Sequence, residues 1–223
     1  MTEYCDRPRP HVVMQPADDP AALDLAVETL AAGGVVAFPT DTVYGIGADA
    51  RRPAAVAELY IIKRRPPDKA IPLLVASLDD ALPFVSEVPE AARALITAFW
   101  PGALTLVLPI AGGVPPIISA GPGIAVRMPD HPVPLALIRR LGAPLASTSA
   151  NLSGAPAPLD AGAVAEQLGR RVDLILDGGR APGGQASTVV DLSVQPARLL
   201  RLGPISAEHL RIYLPDLVVV STS

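Results

Sequence analysis

Cysteine is almost absent from this chain, and its scarcity excludes a fold held together by disulfides. The 223 residues contain one cysteine, Cys5, so no disulfide can form within the chain, as is typical of proteins in a reducing compartment. The polar, proline-rich start lacks the apolar core of a signal peptide, and no later run is long and apolar enough to span a bilayer. The sequence therefore predicts a cytoplasmic protein with no membrane partner.

Aromatic residues and net positive charge are also lacking. Aromatic side chains make up 4% of the sequence and hydrophobic residues 50%, so the sequence predicts a large core built from aliphatic side chains. The formal net charge of −4 argues against a protein that coats nucleic acid through bulk positive charge. A local basic cleft is still compatible with this charge.

Lysine is the scarce basic residue: Lys63 and Lys69 are the only two among 18 lysines and arginines. Both fall in one segment, 63–69. Lysine is a compact, mobile point charge that is commonly used on polyphosphates, whereas arginine is a planar fork, so this segment is a candidate anion site. The competing interpretation is a solvated helix end on which the two lysines have no function.

Helical and strand patterns alternate along the sequence. Asp19 and Pro20 are typical of a helix start, and Gly33 and Gly34 of a helix end. Helices interleaved with short apolar strands, several joined by hairpin-length connections, predict an α/β fold: a single domain with a twisted mixed sheet flanked by helices. The predicted strands are 35–38, 73–76, 104–108, 124–128, 144–146, 174–176, 189–192 and 199–200, and later helices begin at Pro53 and span 89–99, 132–141 and 162–168.

No internal repeat or clean linker divides the chain, so the sequence predicts one domain that spans 11–206. A polar N-terminal extension at 1–10 precedes it. A C-terminal tail at 207–223 follows, with a short helix and one apolar run. This tail is too small to form a second domain.

Several common catalytic motifs are absent. The sequence has no Walker phosphate loop and no Gly-x-Ser-x-Gly elbow, and its three histidines lack metal-ligand spacing. The segment 45–50 matches the loose dinucleotide pattern Gly-x-Gly-x-x-Ala, but residues 40–44 separate it from the preceding strand. The next helix begins only near Pro53. A dinucleotide site is therefore disfavoured.

Four segments carry polar residues where packing alone would not place them. They are 39–45 at a strand end, the lysine segment 63–69, Arg127 as a lone cation in an apolar strand, and 147–154 after a strand. Ligands bind beyond strand ends in open α/β sheets, and a buried cation needs a partner, so all four are candidate site elements. The ordinary alternatives are a local turn, a solvated helix end, a buried ion pair and a helix cap with its loop.

Seven short motifs follow one another along the chain. They are Gly-Gly-Val-Val-Ala-Phe-Pro-Thr-Asp-Thr-Val-Tyr-Gly at 33–45, Lys-Arg-Arg-Pro at 63–66, Trp-Pro-Gly-Ala-Leu-Thr at 100–105, Val-Arg-Met-Pro at 126–129, Ser-Ala-Asn at 149–151, Ser-Thr-Val-Val-Asp at 187–191 and Arg-Leu-Gly at 201–203. In this order, from about His11 to Ser206, they resemble the YrdC-like family of threonylcarbamoyl-AMP synthases. The resemblance implies a YrdC-like fold with a concave cationic cleft, in the short form that lacks an extra C-terminal domain.

The resemblance also implies an enzyme, an L-threonylcarbamoyladenylate synthase of the nucleotidyltransferase class. Such enzymes convert ATP, L-threonine and bicarbonate into threonylcarbamoyl-AMP and pyrophosphate for N6-threonylcarbamoyladenosine modification of tRNA. The tRNA would be reached directly or through a separate threonylcarbamoyl transferase complex. A Mg²⁺ ion is expected with ATP, and it needs few ligands from the protein.

The family's signature, Lys-x-Arg with Ser-x-Asn, falls on four residues of this sequence. By the resemblance, Lys63 and Arg65 would be catalytic and would neutralise charge on the leaving pyrophosphate. Ser149 and Asn151 would bind ATP together with them. The further matches are Arg201 on the nucleotide, and Thr40, Arg127, Ser147 and Ser187 around threonine and bicarbonate.

Two departures from the family pattern keep other functions open. Leu74 is apolar where some relatives carry a histidine, and Gly123 stands where others have a hydroxyl. These departures leave open a paralogue with a different substrate. A separate alternative, suggested by the cationic cleft and opposed by the net charge of −4, is a YrdC-like RNA-binding protein without synthase activity. A carbamoyl-transfer domain like those of hydrogenase maturation proteins is disfavoured, because the zinc and acylphosphatase-like modules of those longer chains are not visible in this sequence.

Overall fold

A mixed sheet of eleven strands runs through the part of the chain that the computed structural model describes, residues 12–66, 69–119 and 121–220. In chain order the strands are β1 (Met14–Pro16), β2 (Val36–Phe38), β3 (Gly45–Asp49), β4 (Leu73–Leu74), β5 (Leu104–Pro109), β6 (Gly123–Arg127), β7 (Leu145–Ser149), β8 (Leu174–Asp177), β9 (Thr188–Asp191), β10 (Arg198–Arg201) and β11 (Val218–Val219). The α-helices are α1 (Pro20–Ala31), α2 (Pro53–Lys63), α3 (Glu90–Phe99), α4 (Pro132–Leu141), α5 (Ala161–Leu168) and α6 (Ala207–Arg211).

The sheet combines parallel and antiparallel pairs. Its spatial order is β1-β8-β2-β3-β7-β4-β6-β5-β9-β10-β11. Both β1 and β2 run parallel to β8, whereas β3 runs antiparallel to β2 on one side and to β7 on the other. Parallel pairs need long crossovers and antiparallel pairs need only short loops, so this mixture matches the alternation of helices and short connections in the sequence. The predicted α/β domain with a mixed, helix-flanked sheet is confirmed.

Helices α1 and α4 begin and end where the sequence predicts, because their capping residues are local signals. Asp19 caps α1: its Oδ1 accepts a hydrogen bond of 2.9 Å from the N–H of Ala21, and Pro20 is the first helical residue. Helix α4 ends at Gly142, whose φ of 64° suits a residue without a Cβ. Within the described residues, none of the helices has the length and apolar character needed to cross a membrane.

Side chains alternate between two buried layers on opposite faces of the sheet. Around β2, Val35 and Ala37 lie in one layer, here called the first, and Val36 and Phe38 lie in the second. Helices α2, α3, α5 and α6 contribute to the first layer, and α1 and α4 contribute to the second. Strand β2 is therefore buried on both faces, which explains why it reads as a continuous apolar run.

Away from α1 and α4, the second face of the sheet carries polar side chains. The residue just before each of Thr105, Arg127 and Ser147 belongs to the first layer. Alternation along a strand therefore turns these three side chains to the opposite face. We call the surface defined by Thr105, Arg127 and Ser147 the polar sheet face. The candidate site is thus built on a face of the sheet as well as at the strand ends that the sequence predicts.

Strand β3 is not predicted by the sequence, where its glycines suggest only a weak dinucleotide motif. The glycines pack against the ring of Phe38: a Cβ on Gly47 would lie 3.0 Å from the ring Cε1. Pairing with a strand on each side stabilises an extended conformation that a glycine-rich pattern does not encode. These glycines therefore serve close packing within the sheet.

Strand β7 extends three residues beyond the predicted 144–146. Ser147 pairs with Gly47, and Ser149 pairs with Gly45, so both serines belong to the strand. The prediction that these serines follow the strand is wrong. An apolar pattern marks a strand only where its side chains enter a buried layer, and Ser147 instead faces the polar side of the sheet.

The C-terminal segment packs onto the rest of the chain. Leu210 of α6 is buried in the first layer, as are Leu214 and Leu217 beyond the helix. Strand β11 then pairs parallel with β10. The domain bounds 11 and 206 stay predictions, and residues 1–11, with Cys5 and His11, lie outside the described part.

Candidate active site

The turn that follows β2 is ordered by the hydroxyl of Thr40. Its Oγ1 donates to the carbonyl oxygen of Val43 at 2.7 Å and accepts from the backbone N–H groups of Thr42 and Val43 at 3.1 and 3.3 Å. The side chain is buried, and these bonds satisfy it. The local turn that the sequence offers as an alternative is therefore formed, and it fixes the adjacent Asp41.

Arg127 ties this turn to the sheet. Its Nη2 donates to both carboxylate oxygens of Asp41 at 2.6 and 2.7 Å, and its Nη1 donates to Oγ1 of Thr42 at 3.1 Å. Its Nε donates to the carbonyl oxygen of Gly102 at 2.9 Å. Arg127 is 7% exposed, and burial lowers its pKa while Asp41 acts in the opposite direction. The buried cation thus has the acidic partner that it requires.

A second polar cluster joins the neighbouring ends of β5, β9 and β10. Ser187 Oγ lies 2.8 Å from Thr105 Oγ1, and Arg201 donates from Nη2 to Ser187 Oγ at 3.1 Å and from Nε to the Ser187 carbonyl oxygen at 2.9 Å. Thr105 and Ser187 are buried. The sequence reasoning missed Thr105 as a site residue. A hydroxyl inside the otherwise apolar strand β5 is the signal that would have found it.

The structure brings the Lys-x-Arg and Ser-x-Asn motifs into contact. The Nζ of Lys63 donates to the carbonyl oxygen of Ser149, to the carbonyl oxygen of Asn151 at 2.5 Å and to Asn151 Oδ1 at 3.1 Å. Lys63 is the last residue of α2 and is 1% exposed. Burial and, to a smaller extent, the positive charge of Arg65 together lower the pKa of Lys63 to about 7. The predicted signature is therefore a physical contact between α2 and residues 149–151, which we call the Ser-x-Asn turn.

The side chain of Asn151 organises this turn. Its Oδ1 also accepts from Oγ of Ser149 at 2.5 Å. Its Nδ2 donates to the carbonyl oxygens of Leu152 and Ala155 at 2.9 and 2.6 Å. Since both ends of the amide are bonded, Asn151 fixes the conformation of the chain on its C-terminal side.

Arg65 leaves α2 in a different direction from Lys63. Arg64, between them, has a left-handed conformation with a φ of 52° and ends the helix. Arg65 donates from Nε to the carbonyl oxygen of Lys69 at 3.1 Å and from Nη2 to that of Ala70 at 2.8 Å. Arg65 is half-buried and Lys69 is exposed. Lys63 therefore points into the protein, whereas Arg65 stays near its surface.

Positive charge from separate elements converges on the site. Burial lowers the pKa of Arg201, and the guanidinium groups of Arg127 and Arg65 lower it further. The charges of Arg127 and Arg65 thus act on Arg201 within a chain whose net charge is −4. The concave cationic cleft stays a prediction, and this convergence supports it.

Ser147 lies in the middle of β7 and is 5% exposed. Its N–H donates to the carbonyl oxygen of Pro72 at 2.8 Å, and a Cβ on Gly45 would lie 3.3 Å from its Oγ. The glycine at position 45, which lies diagonal to Ser147 across the two strands, therefore leaves room for the hydroxyl on the polar sheet face.

His131 caps α4 and stands near the Arg127–Asp41 pair. Its Nδ1 accepts from the backbone N–H two residues further on at 3.2 Å. Burial lowers its pKa, while the carboxylates of Asp41 and Asp130 act in the opposite direction. His131 therefore has a structural role at a helix start, and His209 is exposed on α6.

The two departures from the family pattern have packing explanations. Leu74 is buried in the second layer. A Cβ on Gly123 would lie 2.5 Å from Cγ1 of Val107 and 2.8 Å from Oγ of Ser193, so a side chain would force its neighbours to move.

Across residues 12–66, 69–119 and 121–220, no three histidine, cysteine, aspartate or glutamate residues form a group that could hold a metal ion. Asp41, the carboxylate of the site, uses both oxygens on Arg127. The Mg²⁺ ion stays a prediction in which the phosphate oxygens of ATP and water are its main ligands.

Fold and site together define a mixed-sheet α/β protein in which arginines and hydroxyls gather around one sheet face. The family model Sua5/YciO/YrdC, described as telomere recombination, matches residues 28–203. The chain belongs to this family, and the resemblance that its motifs indicate is confirmed.

Curated proteins that are similar to this chain are named threonylcarbamoyl-AMP synthase. The threonylcarbamoyl-AMP synthase of Bacillus subtilis is 45% identical over 178 residues, which cover 79% of this chain and 51% of the relative. The threonylcarbamoyl-AMP synthase of Xanthomonas campestris is 40% identical over 182 residues, which cover 80% of this chain and 96% of the relative. The chain thus spans about half the length of the Bacillus subtilis relative.

A solved structure agrees with the family. The crystal structure of Pyrococcus abyssi Sua5 complexed with L-threonine superposes with a TM-score of 0.88 at 38% identity. The match covers 94% of this chain and 62% of that one.

Proposed function

We propose that this chain is a cytoplasmic L-threonylcarbamoyladenylate synthase, which forms threonylcarbamoyl-AMP and pyrophosphate from ATP, L-threonine and bicarbonate. The product serves N6-threonylcarbamoyladenosine modification of tRNA, directly or through a separate transferase complex. The names of the relatives and the threonine complex of a similar protein support this proposal. The observation that carries it is the contact between the Lys-x-Arg and Ser-x-Asn motifs, in which Lys63 Nζ donates to the carbonyl oxygen and to Oδ1 of Asn151 at 2.5 and 3.1 Å.

Threonine and bicarbonate are proposed to bind at the polar sheet face. A carboxylate or carbamate there would share the guanidinium of Arg127 with Asp41, because an arginine fork suits planar oxyanions. Thr40 orders the turn that carries Asp41. Ser147 and Ser187 would supply the hydroxyls that the family resemblance assigns to this ligand.

ATP is proposed to bind across the Ser-x-Asn turn, with its phosphates toward Arg65 and Arg201. Ser149 and Asn151 offer polar side chains there, and Lys63 lies beneath them. The predicted direct phosphate contact of Arg65 agrees with its position near the surface. A Mg²⁺ ion bound by the triphosphate would add further charge neutralisation.

The reaction needs little covalent work from the protein. The amine of threonine combines with bicarbonate and releases water to form a carbamate. A carbamate oxygen then bonds to the α-phosphorus, the bond from that phosphorus to the β-phosphate oxygen breaks, and pyrophosphate leaves. Alignment of the reactants and neutralisation of the developing negative charge are therefore the main tasks, and they suit a site of guanidinium groups and hydroxyls.

The test is pyrophosphate release from ATP with threonine and bicarbonate present or omitted in turn. We expect release to require both, and Arg65→Ala to lower kcat/KM for ATP by about 100-fold because a charge-assisted contact is lost. Arg139→Ala is the matched control, since Arg139 is exposed on α4, and it should leave the rate unchanged. Release without threonine would refute the synthase and return attention to a paralogue with another substrate or an RNA-binding protein.

A further inference from the structure

The charged group of Lys63 is bonded to one segment of the protein, the Ser-x-Asn turn. Its Nζ bonds to the carbonyl oxygens of Ser149 and Asn151 and to Asn151 Oδ1, all within the Ser-x-Asn turn. An ammonium group has three N–H donors, so these three acceptors use its full capacity. With the side chain 1% exposed, the ammonium is directed into the protein.

The backbone of Lys63 holds the chain just after this turn. Its carbonyl oxygen accepts from the N–H of Ser153 at 2.9 Å. Lys63 therefore bonds to the chain on both sides of Asn151. Its ammonium group contacts Ser149 and Asn151, and its carbonyl oxygen contacts Ser153. Arg64 has a left-handed conformation, so Arg65 turns away from this contact.

We propose that Lys63 is a positioning residue that holds the Ser-x-Asn turn in its binding conformation, and that Arg65 is the cation of this pair that contacts the nucleotide phosphates. This inference rests on the proposed function for the identity of the ligand. It divides the Lys-x-Arg signature into two roles, one within the fold and one toward the substrate.

The chemistry of lysine explains its occurrence here in a chain that otherwise uses arginine. A compact ammonium can direct three donors to three oxygens around one point, whereas a guanidinium holds its donors in a planar fork. Burial is unfavourable for the charge and lowers its pKa to about 7, and the oxygen acceptors offset that cost.

The first test is a double-mutant cycle on kcat/KM for ATP in the pyrophosphate-release assay. We expect Lys63→Met to reduce it by about 30-fold in the wild type but by less than about 3-fold in Asn151→Ala, where the turn has already lost its organising amide. Arg65→Met is the comparison variant, and it should reduce kcat/KM for ATP by the same factor in both backgrounds. An equal loss from Lys63→Met in both backgrounds would show an independent phosphate contact and overturn the proposal.

The second test needs no substrate. Hydrogen exchange of the ligand-free protein should be faster in a peptide covering 149–155 in Lys63→Met, and unchanged there in Arg65→Met. Lys63→Gln, which keeps a side-chain donor, replaces Lys63→Met if that variant does not fold. Unchanged exchange in the lysine variants refutes the positioning role, whereas threonine-independent release by the wild type refutes only the proposed function.

Discussion

At the scale of the residue, Arg127 shows how a buried charge is stabilised. Each of its three nitrogens has an acceptor, and the carboxylate of Asp41 accepts through both oxygens. Removing one partner of such a pair leaves the other charge buried without compensation. The lone cation that the sequence marks in an apolar strand is therefore a link between the turn after β2 and the sheet.

Thr105 is expected to position Ser187 and Arg201 for the ligand. Thr105→Val keeps the shape of the side chain but removes the hydroxyl that lies 2.8 Å from Ser187 Oγ. We expect KM for threonine to rise by roughly 5- to 10-fold in the pyrophosphate-release assay, because the loss of one buried hydrogen bond corresponds to about 1 kcal/mol.

The control for this prediction is Thr97→Val. Thr97 Oγ1 donates to the carbonyl oxygen of Arg93 at 2.9 Å on the exposed side of α3. Loss of the Thr97 hydroxyl should leave KM for threonine unchanged. Equal KM values for Thr105→Val and the wild type would show that the hydroxyl pair has no role in the site.

At the scale of the element, the end of α2 sets the directions of the two signature cations. The helix ends at Arg64, whose left-handed φ of 52° is unusual for a residue with a Cβ. The N–H of Arg64 bonds to the Ile61 carbonyl oxygen at 3.1 Å, and that of Arg65 bonds to the Tyr60 carbonyl oxygen at 2.9 Å. This helix end directs the side chain of Lys63 into the protein and that of Arg65 toward the surface.

Arg64→Gly should stabilise the protein. Glycine adopts the left-handed conformation without a steric penalty, so we expect the free energy of unfolding in urea to rise by about 0.5–1 kcal/mol. Arg139→Gly in α4 is the control, and its effect should be the opposite. It should lower the free energy of unfolding by about 1 kcal/mol, because glycine there replaces a residue of a regular helix. A loss of stability in Arg64→Gly would show that the side chain of Arg64 makes a contribution larger than the strain of its backbone.

At the scale of the whole molecule, the buried charge of Lys63 links stability to pH. Its pKa is lowered from 10.5 to about 7 in the folded state. Between these values the unfolded chain binds more protons than the folded one, so the free energy of unfolding rises as pH increases above about 7. His131, whose pKa is also lowered, contributes with the same sign near its own pKa, and the raised pKa values of Tyr44 and Tyr60 act only at about pH 10 and above.

The difference between the wild type and Lys63→Met isolates this effect, because the other groups titrate in both proteins. We expect the wild type to gain on the order of 2 kcal/mol relative to Lys63→Met between pH 6 and pH 9, measured by urea unfolding. Parallel pH profiles of the two proteins would contradict a lowered pKa of Lys63.

Much of the fold follows from local signals. Asp19, Pro20 and Gly142 mark helix ends through their own backbone chemistry, and apolar runs such as β2 mark strands that are buried on both faces. Strands β1, β3 and β11 are not among the predicted strands, and β3 is held by its two neighbours and by Phe38, which lie outside its own pattern.

The sequence by itself determined the α/β class, the order of the motifs and the candidate cations, because those depend on residue types and local spacing. Only the tertiary structure decided what each polar residue contacts. It paired Arg127 with Asp41, brought Thr105 to Ser187, and set Lys63 under the Ser-x-Asn turn. These contacts join residues more than 80 positions apart, so packing of the whole chain places them together.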